Sequence, residues 1–111
     1  MDINSLIKNK EKAFAEICRS HDVDTLYAFG SSITLNFNEK SSDIEVIVQL
    51  AIKDPADRGE ALLSLWNQLE LFLERKVDLL TEDSLKNPYL KANINRTKKL
   101  IYDREREQVF I

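Results

Sequence analysis

Two acidic residues inside an apolar strand constrain this chain more than anything else in it. The stretch from Leu26 to Leu50 reads LYAFGSSITLNFNEKSSDIEVIVQL, two apolar runs joined by a polar connector. The connector opens on Gly30-Ser31-Ser32, and the second run begins Asp43-Ile44-Glu45-Val46. Successive side chains of a strand alternate between faces, so Asp43, Glu45 and Ile47 share one face while Ile44, Val46 and Val48 take the other. Ionised carboxylates among aliphatic neighbours are expensive to bury unless a cation meets them. Two residues apart, the acids have Cα atoms roughly 6.5 to 7 Å from each other. Their carboxylates can then converge on metal ions about 3.5–4 Å apart, the spacing of two-metal phosphoryl-transfer sites. Left bare, two charges ~4 Å apart repel by about 4 kcal/mol at an effective dielectric near 20. A divalent cation removes that penalty, and an all-oxygen donor set suits Mg²⁺ or Mn²⁺ rather than zinc. A third carboxylate, Asp78, lies in the later apolar run KVDLLT and comes from a strand that could lie alongside.

Gly30-Ser31-Ser32 complements the acids. Glycine lets a ligand approach the main chain, and successive N–H groups at a helical start form a nest for phosphate oxygens. Either serine hydroxyl can add a hydrogen bond to phosphate. Taken alone, Gly-Ser-Ser is an ordinary turn; its weight comes from lying a short, fixed distance upstream of the acid–apolar–acid strand.

The remaining chain supplies the frame. Ile3, Leu6, Ile7, Phe14, Ile17 and Cys18 fall at three- and four-residue spacing, which predicts one amphipathic helix from Ile3 to about Arg19 with Asp2 as its cap. The single histidine, His21, follows the helix end and reads as a solvated terminus. Val23 to Phe29 is a first strand and Asp43 to Leu50 a second; Ser31 to Leu35 reads as a short helical turn and Asn36 to Ser42 as loop. Asp54-Pro55 starts a helix running to Glu74, with Trp66 most simply a core anchor on its apolar face and stacking on a substrate base the lesser alternative. Lys76 to Thr81 is a third strand, Asn87-Pro88 opens a helix to about Asn95, and Lys99 to Tyr102 is either a last strand or a helix end. Too little chain joins the first two strands for a full crossover, so an α/β (α+β) fold with a small mixed sheet flanked by helices is expected. Residues 1–102 form one domain and residues 103–111 a charged tail ending in the apolar Val109-Phe110-Ile111.

Composition limits the function. The 111 residues are 43% hydrophobic and 32% charged, which is globular rather than disordered. A formal charge of −3 gives no basic excess, so neither specific nor tight nonspecific nucleic-acid binding is expected. Anionic substrates need locally placed cations, and Lys53, Arg58, Arg75 and Lys76 read as ordinary solvated ones. One cysteine, Cys18, on a helix face fits a core thiol in a reducing cytoplasm. No apolar run approaches the ~20 residues of a membrane span.

An apolar residue, Gly-Ser, a spacer, then acid–apolar–acid–apolar resembles the signature of the DNA polymerase beta-like nucleotidyltransferase superfamily. Here it stands as Phe29-Gly30-Ser31, eleven residues, then Asp43-Ile44-Glu45-Val46. The downstream VDLLTEDSLKNPYLKANINRTKKLIYD is similar to the small minimal nucleotidyltransferases, whose Val-Asp-Leu strand brings the third acid. The resemblance implies a nucleotidyltransferase fold binding a nucleoside triphosphate, ATP above all, and two Mg²⁺ ions. Gly30, Ser31 and Ser32 would hold the phosphates, Asp43 and Glu45 would bridge the metals, and Asp78 would ligate the catalytic metal and orient the acceptor hydroxyl. It also implies an antitoxin-like role beside a HEPN-type helical partner, with AMP passed to a hydroxyl on that partner. Three departures stand out: Glu45 replaces the usual Asp, the connector is one residue longer than the commonest spacing, and Ser32 replaces a frequent arginine.

Three other readings use the same residues. A catalytically weak or inactive subunit could neutralise a HEPN-type partner by contact alone. Transfer to a small molecule such as an aminoglycoside usually involves an added acceptor domain. In the plainest reading, the three acids merely meet solvent or lysines at a sheet edge.

Overall fold

Alternation along the second apolar run sets the architecture of the computed structural model, which describes residues 3–30, 44–106 and 108–109. Five strands, β1 (Val23–Phe29), β2 (Ile44–Leu50), β3 (Val77–Thr81), β4 (Lys99–Asp103) and β5 (Gln108–Val109), make one sheet in the order β3-β2-β1-β4-β5. β1 is central and antiparallel to both β2 and β4. β2 and β3 run parallel, linked by the long helix α3 (Pro55–Leu73), so the sheet is mixed as expected. Helices α1 (Ile3–Ile7), α2 (Glu11–Ser20) and α4 (Pro88–Thr97) complete the layers.

One sheet face carries the main core. Leu26 and Ala28 of β1, Ile44, Val46 and Val48 of β2, Val77 of β3 and Ile101 of β4 pack with Phe14 and Cys18 of α2 and Leu65, Leu69 and Leu73 of α3. Phe14 and Phe72 meet with ring centroids 5.7 Å apart, a favourable tilted geometry. A smaller cluster on the second face joins Phe29, Ile47 and Ile94, with Tyr27, Leu80 and Leu85 against it.

Caps follow the sequence closely. Asp54 Oδ1 accepts from the Ala56 N–H at 3.0 Å and Pro55 opens α3, while Glu74 ends it in the left-handed conformation. Asn87 Oδ1 accepts from Tyr89 N and Leu90 N, which pins the first turn of α4.

Several expectations need correcting. The single N-terminal helix is two: Asn9 adopts φ 69°, and Lys10 N donates to Ile7 O across the break. No large apolar residue lies between Ile7 and Phe14 to hold the segment on the core, and asparagine tolerates the left-handed region better than most residues. The α4 helix extends to Thr97, and Lys99–Asp103 is a strand. Trp66 is not a core anchor, being 40% exposed. Its Nε1 donates to Val77 O at 2.7 Å, and Val77 N donates to Glu70 Oε2 at 2.9 Å. One turn apart on α3, these side chains satisfy the outward main-chain groups of Val77 on edge strand β3. In the tail, Val109 pairs with Tyr102 and packs against the main core. The expected Asp2 cap and the turn and loop between the first two strands lie outside the described residues.

Candidate active site

The antiparallel β1–β2 pairing sets Phe29 opposite Glu45, and the parallel β2–β3 pairing sets Glu45 opposite Asp78. Paired residues on neighbouring strands lie about 4.8 Å apart and point to the same face. Glu45 and Asp78 therefore stand side by side on the second sheet face. Glu45 is half-buried and Asp78 is exposed.

Gly30 closes the third side. It follows Phe29 directly, with φ 64°, a conformation L side chains rarely adopt. A Cβ added there would overlap the Glu45 carboxylate. The bend and the acid are thus in contact, and glycine is required both by its backbone angle and by the space. Ser31, Ser32 and Asp43, the other expected site residues, lie outside the described residues.

Beside the two carboxylates opens a hollow of about 330 Å³, lined by Phe29, Glu45, Trp66, Asp78, Leu79, Leu80, Leu90 and Ile94. Its volume is in the range of small-ligand sites. Phe29 precedes the recognisable Gly-Ser, and Trp66 reads as a base-stacking residue only behind a core role, but Leu90 and Ile94 carry no signal as site residues. All three of these last reach the acids only because α3 crosses the edge of β3 and α4 lies on the second face.

The donor set can be tested for metal. Among the described residues, no three His, Cys, Asp or Glu side chains gather as a metal site. The two carboxylates in register still match Mg²⁺, which is typically held by one or two carboxylates and completed by waters and substrate phosphates. Gly30 makes room for one of them, the Glu45 carboxylate, against the main chain. The described residues therefore fit the ion, and Glu45 and Asp78 are the side chains that would hold it.

Other candidates fall elsewhere. Arg58 lines a separate hollow of about 340 Å³ with Glu82 and Asp83, near Leu50 at the end of β2 remote from Glu45. His21 is a structural tie rather than a solvated end. Its Nδ1 lies 2.7 Å from Ile17 O and its Nε2 2.8 Å from Ser64 Oγ, joining α2 to α3. That carbonyl can only accept, so Nδ1 carries the proton. His21 also precedes the start of β1, whereas Gly30 follows its end. Cys18 is fully buried in the main core, and burial pushes its thiol up to about 12. Such a thiol is neither a nucleophile nor a ligand at neutral pH. No helix among the described residues is long and apolar enough to cross a membrane.

Comparison with known proteins bears on this geometry. Residues 12–107 match the family described as "Polymerase beta, Nucleotidyltransferase". A protein of Methanocaldococcus jannaschii, named "Putative protein adenylyltransferase MJ0126", is 32% identical over 91% of this chain and 94% of its own length. Among solved structures, one described as a "putative minimal nucleotidyltransferase" superposes with a TM-score of 0.61 at 24% identity, covering 89% of this chain and 95% of the other. A toxin–antitoxin structure with AMP-PNP gives 0.60 at 22% identity, over 86% and 76% of the two chains. The complex of an AMPylated Shewanella oneidensis HEPN toxin with its MNT antitoxin gives 0.50 at 21% identity, over 86% and 71%. With the family match spanning most of its length and its two described acids in register beside a glycine bend, this chain belongs to the polymerase beta nucleotidyltransferase family.

Proposed function

We propose that this chain transfers AMP from ATP to a hydroxyl on a partner protein, in a pair of the HEPN toxin and MNT antitoxin kind. The observation that carries the reading is the register of Glu45 with Asp78 beside Gly30. Asp43, Ser31 and Ser32 join them by sequence position, and two Mg²⁺ ions, or Mn²⁺, are the proposed cofactors. When bound, the metal neutralises phosphate charge and polarises the reacting phosphoryl group. Gly30 makes room for the Glu45 carboxylate at the start of the bend. Glu45 holds the nucleotide side of the site, and Asp78 faces the open hollow, where it orients the incoming hydroxyl. Positioning and charge neutralisation suffice, with no covalent intermediate on the chain.

The lining of the hollow supports a reading of the acceptor. Six of its eight lining residues are apolar. A phenol ring would cover such walls, whereas a sugar or an aliphatic hydroxyl would leave them wet. A tyrosine on the partner is therefore the proposed acceptor, and the reducing cytoplasm the proposed setting. The reading rests also on a 32% identical relative that carries an adenylyltransferase name. Glu45, one methylene longer than the usual acid, favours a second reading in which the chain neutralises its partner by contact alone.

The test is metal-dependent ATP binding by thermal shift, followed by mass spectrometry of the neighbour-encoded protein after co-expression. Mg²⁺-dependent stabilisation by ATP and one or more AMP additions on a partner tyrosine are expected. Asp78→Asn should lower transfer by at least about a hundredfold. ATP binding without transfer would leave only the contact reading; unchanged transfer in Asp78→Asn would end the assignment of that acid.

A further inference from the structure

We infer that the chain is also its own substrate: Tyr89 of one copy accepts AMP in the site of a second copy. The inference rests on the nucleotidyl-transfer reading above and adds an acceptor to it. Three tyrosines are present. Tyr102 is 1% exposed, and Tyr27 is half-buried with Lys98 Nζ 4.3 Å above its ring. Tyr89 is 86% exposed, the most exposed large hydrophobic side chain among the described residues, and its hydroxyl makes no hydrogen bond there.

Its position is as telling as its exposure. Tyr89 stands in the first turn of α4, immediately before Leu90, which lines the hollow beside Glu45 and Asp78. Consecutive helical residues project about 100° apart, so a turn that aims Leu90 into the hollow aims Tyr89 away from it. Asn87 holds both of their N–H groups, which fixes the first turn and with it the direction in which the Tyr89 Cα–Cβ bond leaves the helix. A neighbouring copy meets no such restriction. Hook and hollow lie on one rim, so two copies related by a two-fold axis can each offer Tyr89 to the other. The neighbours Tyr89 and Leu90, 86% and 45% exposed, present an apolar pair to the apolar walls near Trp66.

The step is the same as for a partner tyrosine. Tyr89 Oη attacks the α-phosphorus of ATP and a new P–O bond forms. The bond from that phosphorus to the oxygen bridging to the β-phosphate breaks, pyrophosphate leaves with the electron pair, and the phenolic proton ends in bulk water.

The experiment mixes two purified variants with ATP and Mg²⁺. Tyr89→Phe retains the site and lacks the acceptor; Asp78→Asn, isotopically heavy, retains the acceptor and lacks a site acid. Intact-mass and peptide analysis should find one AMP on Tyr89 of the heavy chain, only when the Tyr89→Phe chain is present. The rate of labelling of wild-type protein should rise with the square of its concentration at high dilution. A concentration-independent rate, label on another residue, or label on Tyr89→Phe would overturn the inference. So would a chain that binds ATP with Mg²⁺ and modifies its partner yet never labels Tyr89, a result that leaves the proposed function standing. Absence of both metal-dependent ATP binding and any transfer would remove the function and this inference together.

Discussion

Ile44, Val46 and Val48 are each 2% exposed or less, whereas Glu45 between them is half-buried and Gln49 is exposed, although all five sit on one strand. The two faces of the sheet are built for different ends. One is closed by α2 and α3 over a continuous apolar layer. The other is covered only in part by α4, through Ile94 against Phe29 and Ile47, and a hollow there is lined by Glu45 and Asp78. A half-covered face contributes less burial to stability, and that is what makes it accessible to a nucleotide and an acceptor. Changes on the closed face should therefore act on folding, and changes on the open face on binding and transfer.

The strongest way to break this comparison is to hollow out the closed face. Phe14 is fully buried against Phe72 and the main core. Phe14→Ala should destabilise by about 3–5 kcal/mol, lowering the melting temperature by more than about 10 °C. Glu45→Gln, on the open face, should shift stability by less than about 1 kcal/mol while abolishing Mg²⁺-dependent stabilisation by ATP. Chemical denaturation of both variants checks the pair. If Glu45→Gln proved as destabilising as Phe14→Ala, the acid would be a structural group and the division of faces would be wrong.

The two glycines sharpen the contrast at smaller scale. Gly30 holds a left-handed angle against the Glu45 carboxylate, while Gly59 lies in α3 with nothing within 4 Å of an added Cβ. Gly30→Ala should cost at least about 1–2 kcal/mol in backbone strain alone, displace the carboxylate and weaken ATP binding. Gly59→Ala should raise stability by roughly 0.5–1 kcal/mol with ATP binding unchanged. Urea melts with and without ATP and Mg²⁺ separate the two outcomes; equal effects at both positions would show that Gly30 is only a turn.

Much of this division is legible in the chain itself. Period-two alternation places Glu45 opposite in face to Ile44 and Val46, and Asp54-Pro55 and Asn87-Pro88 mark two helix starts that α3 and α4 obey. The elements and the face of Glu45 follow from such local signals, because strand alternation and caps act over a few residues; the register that sets Glu45 opposite Asp78 is tertiary. The break at Asn9 was hidden because apolar spacing on either side of it stays in phase with one helix. Trp66 was hidden for a different reason. Helical periodicity says which side of α3 a residue lies on, but not that the helix crosses the sheet edge, where an indole can bond the Val77 carbonyl and line the hollow. The walls contributed by Leu90 and Ile94 likewise depend on where α4 docks, a tertiary fact with no local counterpart.

The last contrast belongs to the closed face and is read by pH. Burial raises the Cys18 thiol from 9.0 to about 12, because the core does not solvate a thiolate. In the unfolded chain the thiol ionises near its ordinary value, so between the two values the unfolded state binds fewer protons than the folded one. Stability therefore carries its full Cys18 contribution below pH about 9 and loses it as the pH rises towards about 12. The slope from this one group is at most about 1.4 kcal/mol per pH unit. Tyrosines and lysines titrate in the same window, so the informative quantity is the difference from Cys18→Ala, which should show the shallower alkaline decline despite its lower starting stability. Parallel curves for the two proteins would mean that the thiol is solvated in the folded state. That in turn would mean α2 does not seal the closed face, and the contrast between the two sides of the sheet would lose its physical basis.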